Sequence, residues 1–391
     1  MSKRLRVLTF VNQYLPGQNS GGPVRSVSNL VAALGDDLEF LVVTSDRDMG
    51  ASEPFAGVTP GTWTDVGKAR VRYQTAAMER PVALARFLRD TAYDVLYVNS
   101  LFNRPYSILP RLLLTVPMVP SRPVVLAPRG ELNPGALAFR TVRKPVFFAL
   151  TRATRLYDGV LWQASSDIEA TNIRGVYPKA RTQVAPALGA VVSNEGREQG
   201  CERPKESGSL RVVFLARVSP MKNLEKAIEV LQKMSGEIVF DIYGPAEDEP
   251  YWQMCQAKMR ELPDNVKATY HGRVEHDEVV TVLSRYHVYL LPTRGENFGH
   301  SIVEAMQAGC IPVISDQTPW QDLEQRQVGW AIPLSDTDRF REALGKVRDM
   351  DEETFVQWSS RAREYGNAKA LNPEVIEQNM QLFYRAVELF G

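Results

Sequence analysis

Glu296 and Glu304 are the carboxylates of this 391-residue sequence whose setting best suits chemistry on a ligand. They stand eight positions apart in Glu296-Asn297-Phe298-Gly299-His300-Ser301-Ile302-Val303-Glu304, after an apolar run at 289–291 and the loop Pro292-Thr293-Arg294-Gly295. The pattern reads as a strand, a glycine-bearing loop and a helix over 301–308, with Glu296 in the loop and Glu304 early in the helix. A helix N-terminus offers N–H groups that lack carbonyl partners, and these bind anions. A carboxylate beside it accepts hydrogen bonds from two vicinal hydroxyls. Together they suit a diphosphate joined to a sugar. The plainer alternative is that Glu304 only complements the helix dipole, while Asn297 and Gly299 only shape a turn.

Two further groupings carry charge or backbone freedom. Arg217 and Lys222, five residues apart, follow an apolar run over 210–218, where two cations at a strand's carboxyl end can neutralise a departing diphosphate. Solubility alone also places Arg and Lys in loops. Near the start, the run at 5–11 leads through Gln18-Asn19-Ser20-Gly21-Gly22 to Pro23, which opens a helix. Gly21 and Gly22 let a backbone approach a phosphate closely, or simply allow a strand-to-helix turn.

These groups need strands and helices to hold them. Short apolar runs at 5–11, 38–45, 95–99, 124–127 and 160–164 read as buried parallel strands, with helical periodicity at 24–34 and 82–91 between them. The polar stretch 194–209 has no hydrophobic period and reads as a linker between an N-terminal domain (1–193) and a C-terminal domain (210–370). The alternation then restarts: strands at 210–218, 238–243, 288–291 and 311–315, and helices at 224–234, 251–262 and 301–308. An amphipathic helix over 373–390 closes the chain, and the segment 371–391 is expected to pack back towards the N-terminal domain. Two doubly wound α/β domains of Rossmann type place ligands at the carboxyl ends of their strands, with a cleft between the domains.

Composition narrows the classes further. With 44% hydrophobic and 24% charged residues, the chain has the apolar material for two cores. Its longest apolar stretches fall well short of the roughly 18 residues that span a bilayer. Cys201, Cys255 and Cys310 lie too far apart to cluster on a metal, and a reducing cytoplasm is the expected setting. Residues 1–193 carry 23 Lys and Arg against 14 Asp and Glu, an excess that residues 194–391 reverse. The N-terminal half is therefore expected to meet an anionic partner or surface. Segment 139–157 interleaves Arg140, Arg143, Lys144, Arg152 and Arg155 with Phe139, Val142, Val146, Phe147, Phe148 and Leu150. It suits the inner face of an anionic membrane or ordinary inward packing.

The segment from Glu296 to Glu304 resembles the E-x7-E motif of retaining GT-B glycosyltransferases of family 4, the glycosyl transferases group 1. Arg217 to Lys222 is similar to that family's R-x4-K segment, and Tyr243-Gly244-Pro245, His271-Gly272-Arg273-Val274, Glu304-Ala305-Met306-Gln307-Ala308-Gly309 and Ile314-Ser315-Asp316 recur in the family's order. A weaker, collinear likeness covers Gly21-Gly22 and Ala127-Pro128-Arg129-Gly130-Glu131-Leu132. The resemblance implies a GT-B fold of two Rossmann-like domains facing each other across a cleft. It implies a nucleotide-sugar donor such as a UDP- or GDP-sugar, retention of configuration, and no cofactor or divalent metal.

By the same resemblance, Arg217 and Lys222 grip the diphosphate, Glu304 the ribose hydroxyls and Glu296 the transferred sugar. Gly21, Gly22, Asn297, Phe298, Gly299, His300 and Ile302 complete the donor set. The two D-x-D sequences, at Asp46 to Asp48 and Asp336 to Asp338, are set aside. Arg129 stands where many members carry histidine near the reacting centre, and is taken as a catalytic-site candidate that holds an acceptor phosphate or carboxylate, or forms a local ion pair. The expected activity is transfer of a hexose or related sugar to a hydroxyl of a glycan or lipid-linked saccharide acceptor in cell-surface polysaccharide biosynthesis, without nucleic acid. A nucleotide-sugar epimerase on the same fold and a non-catalytic sugar-nucleotide-binding protein are the alternatives.

Overall fold

The computed structural model describes residues 4–17, 22–137, 143–190, 204–370 and 372–391. The chain divides into two compact units: residues 1–188 with 372–391, and residues 189–371.

The first unit is built on β1 (Arg6–Phe10), β2 (Glu39–Ser45), β3 (Trp63–Val66), β4 (Ala69–Gln74), β5 (Val95–Asn99), β6 (Val124–Ala127), β7 (Val160–Ala164) and β8 (Arg181–Val184). Among the described residues these form one sheet in the order β3-β4-β2-β1-β5-β6-β7-β8, parallel except for the β3–β4 pair. Its helices are α1 (Gly22–Leu34), α2 (Pro81–Asp90), α3 (Leu109–Leu113), α4 (Pro134–Leu137), α5 (Arg143–Ala153) and α6 (Asp167–Val176), with a π-helical turn at Arg104–Ile108.

Period-2 alternation divides the central strands between two cores. Leu8, Phe10, Leu96, Val98, Leu126 and Trp162 point to one face, with Leu84 and Leu88 of α2 and Ala170 and Ile173 of α6. Val7, Phe40, Val42, Val95, Tyr97 and Val125 point to the other, with Val27, Leu30, Val31 and Leu34 of α1. Burial on both faces is why β5, β6 and β7 read as continuous apolar runs.

The second unit comprises β9 (Ser209–Leu215), β10 (Glu237–Tyr243), β11 (Val266–Gly272), β12 (Val288–Leu291), β13 (Ile311–Ser315) and β14 (Trp330–Ile332). They pair in parallel in the order β11-β10-β9-β12-β13-β14. Helices α7 (Leu224–Leu231), α8 (Glu249–Met259), α9 (Val279–Leu283), α10 (His300–Gln307), α11 (Thr337–Asp349) and α12 (Glu352–Ala370) connect and cover this sheet. Helix α12 supports α10 at close range: a Cβ at Gly366 would lie 2.8 Å from Met306 Cβ, so only glycine fits there without a shift. Ser359 Oγ donates to Gly309 O, just past the end of α10, at 2.8 Å.

The last helix, α13 (Pro373–Phe390), belongs to the first unit. Asn372 caps it by accepting from Glu374 N. Leu382, Phe383 and Ala386 join the α1-side core, with the Phe383 ring 6.1 Å from Phe40 and 5.2 Å from Tyr97. Burial of a large apolar side chain of this kind contributes about 1.5–3 kcal/mol. The polar stretch expected as a linker lies outside the described residues as far as 203, and Ser209 at its end already belongs to β9.

Candidate active site

At the carboxyl edge of the second sheet, the loops after β9, β12 and β13 are tied together by backbone and side-chain bonds. After β9, the N–H groups of Ala216 and Val218 bond the carbonyls of Tyr243 and Pro245 at 3.0 and 2.9 Å. Ser219 O then accepts from Lys222 N at 3.0 Å and Asn223 N at 3.1 Å, closing a turn that ends with Asn223 in the left-handed region at φ 62°. Asn223 Nδ2 donates to Pro292 O at 2.9 Å, and Met221 O accepts from Arg294 N at 2.8 Å and from Thr293 Oγ1 at 3.1 Å. From the third loop, Gln317 O accepts from Glu296 N at 2.9 Å.

The consequence is a contact that sequence separation hides. Lys222 Nζ forms a direct ion pair with Glu296 Oε1, 74 residues away, with side chains 26% and 11% exposed. Arg217 Nε lies 3.6 Å from Glu247 Oε2 in a looser, more exposed pair. Both cations are held against carboxylates that phosphate oxygens could replace, at little cost for the exposed Arg217 pair and with Glu296 left needing a new partner in the other.

Helix α10 starts immediately after this loop. Gly299 caps it at φ 81°, a dihedral that favours glycine, and a Cβ there would lie 2.7 Å from Ile302 Cδ1, which would have to shift. The Phe298 ring sits 4.9 Å from His300 and 5.5 Å from Trp320, whose Nε1 donates to Phe298 O at 2.6 Å. The Tyr289 hydroxyl on β12 bonds Ser301 Oγ at 2.8 Å and so fixes the first turn to the sheet. Gly299→Ala is expected to cost about 1–2 kcal/mol of stability, read as a lowered denaturation midpoint with an unchanged slope; an unchanged midpoint would refute the capping role.

Glu304 is the fifth residue of α10 and is 4% exposed. The helix dipole acts on charges within the first turn, so its solvation does not explain a carboxylate buried one turn further on. The side chain of Ile302 is fully buried, and its N–H bonds Gly299 O at 2.9 Å in the tight first turn.

In the first unit, Gly22 opens α1 and is exposed, and a Cβ there would meet no atom within 4 Å. Packing against the described residues therefore does not demand glycine at this position. Gly21 lies outside the described residues, as do residues 139–142 of the basic segment. Arg129 follows β6 with φ 54°; its Nη2 donates to Asn99 Oδ1 at 2.7 Å and to the Tyr97 hydroxyl at 2.6 Å. The sequence showed no role for Asn99 or Tyr97. The one available hint was a polar Asn99 at the end of the apolar run Val95-Leu96-Tyr97-Val98.

Both D-x-D sequences have structural employment. Asp336 caps α11 by accepting from Arg339 N at 3.0 Å, Asp338 pairs with Arg341 at 2.6 Å, and Asp46 pairs with Arg47 at 2.9 Å. No group of three or more His, Cys, Asp or Glu side chains that could hold a metal ion occurs among the described residues. Asp336→Ala is expected to lose about 1 kcal/mol of stability, as an N-cap does, with turnover unchanged; a fall in turnover that outlasts correction for folded protein would give Asp336 a place in the site.

Two Rossmann-like α/β domains, each with a parallel sheet, define the GT-B architecture, and the chain has it. The sucrose-phosphate synthase from Thermosynechococcus elongatus superposes with a TM-score of 0.70 at 15% identity, over 98% of this chain and 99% of that one. Anabaena HepE in complex with UDP and glucose superposes at 0.68 and 15% identity, over 98% and 100% of the two chains. At such identities these likenesses establish the fold. Residues 199–365, which lie in the second unit, match the model of the family glycosyl transferases group 1. The UDP-N-acetylglucosamine--peptide N-acetylglucosaminyltransferase GtfA subunit of Streptococcus pneumoniae serotype 4 is 28% identical over 173 residues, which are 42% of this chain. The match spans about a third of that relative's length, 33%.

Proposed function

We propose that the chain transfers a glycosyl group from a nucleotide diphosphate sugar, a UDP-sugar in the first instance, to a hydroxyl of a saccharide or lipid-linked acceptor, with retention of configuration. The observation that carries this reading is the convergence of Lys222, Glu296 and the capped N-terminus of α10 at one strand edge, with Glu304 buried one turn into the helix. Arg217 and Lys222 take the diphosphate as the bond between the anomeric carbon and its phosphate oxygen breaks, and they offset the charge that develops there. The N–H groups at the start of α10 face the same anion. Lys222 gives up Glu296 in doing so, and the freed carboxylate accepts hydroxyl bonds from the transferred sugar. Glu304 holds the ribose. The chemistry needs no cofactor and no divalent metal, because cations of the chain do the neutralising.

The group 1 match and the UDP named for HepE and for the GtfA relative support a UDP donor. The test is a panel of UDP-, GDP-, ADP- and TDP-sugars incubated with the protein, with and without lipid and glycan extracts. Release of nucleoside diphosphate that depends on extract is the expected result. Isomerised sugar without release, or binding without turnover, would overturn it.

Peripheral contact with an anionic membrane and a role in cell-surface polysaccharide assembly complete the proposal. On α5, Phe147 and Phe148 pack on Phe102 at 5.1 and 5.8 Å, while Val146 and Leu150 are 67% and 61% exposed beside basic Arg152. No helix among the described residues is long and apolar enough to cross a membrane. An exposed apolar ridge flanked by cations lies in an anionic interface. The Val146→Glu, Leu150→Glu double variant is expected to lose most co-sedimentation with phosphatidylglycerol vesicles; undiminished sedimentation would remove the membrane from the account.

A further inference from the structure

The backbone carrying Arg129 is held in an uncommon shape by two carboxylates that do not touch its guanidinium. Arg129 and Gly130 follow one another at φ 54° and 81°. Glu169, 2% exposed, accepts from Gly130 N at 2.6 Å through one oxygen, and from Ser165 N and Oγ at 2.7 and 2.8 Å through the other. Glu131 accepts from Ser100 Oγ at 2.9 Å and from Leu101 N. Left-handed backbone at a non-glycine residue costs about 1–3 kcal/mol and persists where the surroundings over-determine it.

The guanidinium itself meets only neutral groups among the described residues. Nε and Nη2 donate to Asn99 Oδ1 at 3.2 and 2.7 Å, and Nη2 also to the Tyr97 hydroxyl at 2.6 Å. The Tyr97 hydroxyl donates to Gln163 Oε1 at 2.5 Å, and Gln163 Nε2 donates to Asn379 Oδ1 of α13 at 3.2 Å. Burial pushes the Tyr97 phenol above its ordinary range, so it supplies a lone pair and no charge. A half-buried cation is thus fixed by a neutral chain of bonds, with no partner for Nη1 among the described residues. The alternative of a local ion pair is excluded for the described residues. Gln13, three residues past β1 on the same edge of the sheet, is 4% exposed, and its buried amide oxygen has no partner among the described residues.

We propose that Arg129, steadied by Asn99, Tyr97 and Gln163, binds an anionic group of the acceptor saccharide, a carboxylate or a phosphate ester, through Nη1. A cation with no counter-charge among the described residues, at the strand edge where α/β sheets bind ligands, is satisfied when the ligand brings the charge. The inference rests on the glycosyltransferase reading for the word acceptor, and on the geometry of the first unit for the anion.

The full-length protein is titrated calorimetrically, in the presence of UDP, with glucuronate, glucose 6-phosphate and glucose. At least one anionic sugar is expected to bind about tenfold or more tightly than glucose, and which one does so separates carboxylate from phosphate. Arg129→Gln is expected to abolish the preference and Arg129→Lys to keep most of it, both with unchanged UDP affinity, which reports folding. Equal binding of the three sugars, no binding of any, or a preference that survives in Arg129→Gln overturns the proposal. So does a preference for UDP-glucuronate over UDP-glucose that depends on Arg129, because it moves the anion to the donor. Failure of the wild-type protein to bind any nucleotide overturns the glycosyltransferase reading instead and leaves the anion preference to be judged on its own.

Discussion

Glu304→Ala is expected to weaken UDP binding about 100-fold or more while the protein stays folded. Glu304 is 4% exposed on the fifth residue of α10, and the proposal gives its two oxygens to the ribose hydroxyls. Hydrogen bonds to a charged group contribute about 1.5–3 kcal/mol each, so losing two removes about 3 kcal/mol or more. Glu304→Gln keeps the volume and one carbonyl acceptor and should fall between the two. Calorimetric titration with UDP checks the series. Equal affinities across the three proteins would mean that the buried carboxylate serves the fold and that the ribose is held elsewhere.

Lys222→Ala is expected to lower kcat/KM about 100- to 1,000-fold, the range found when one group that meets developing charge is removed. The same change strips the partner from Glu296, whose side chain is 11% exposed, so stability should fall as well. The Lys222→Ala, Glu296→Ala double variant separates the two effects: stability recovers part of the loss because no carboxylate is left unpaired, and activity does not. Glu296→Ala alone is expected to lower kcat more than it weakens UDP binding, because its partner in the reaction is the sugar. Additive stability losses in the double variant, or activity restored with stability, would contradict the role given to the pair.

Several elements were legible because burial writes them into composition. Val95–Asn99, Val124–Ala127, Val160–Ala164, Val288–Leu291 and Ile311–Ser315 are short runs buried on both faces, and their limits agree with the strands found. Pro373–Phe390 agrees too, since proline opens it and its apolar stripe is wide. The antiparallel pair of Trp63–Val66 and Ala69–Gln74 escaped notice, as its positions include the polar Thr64, Asp65, Arg70 and Arg72. Helix α12 escaped for another reason: its buried positions are Phe355, Ser359, Ala362, Gly366 and Ala370, mostly small residues that leave almost no hydrophobic period.

The candidate site divides in the same way. The order strand, glycine loop, helix around Glu296 to Glu304 is local and could be read. The pairing of Lys222 with Glu296 depends on bonds from Asn223 to Pro292 and from Arg294 to Met221, and sequence spacing carries no trace of them. Arg129 was visible as a departure from histidine, but its neutral surroundings come from β5 and β7, through Tyr97, Asn99 and Gln163. Ile302 was assigned to the donor by its place in the motif; its burial and its bond to Gly299 O in the first turn of α10 could not be read from sequence.

A crystal structure of the protein with UDP bound tests the central claim most directly. The account predicts the diphosphate at the start of α10, with Arg217 and Lys222 on its oxygens, Lys222 parted from Glu296, and both Glu304 oxygens on the ribose. UDP seated away from α10, or a Lys222–Glu296 pair left intact beside it, would contradict the account.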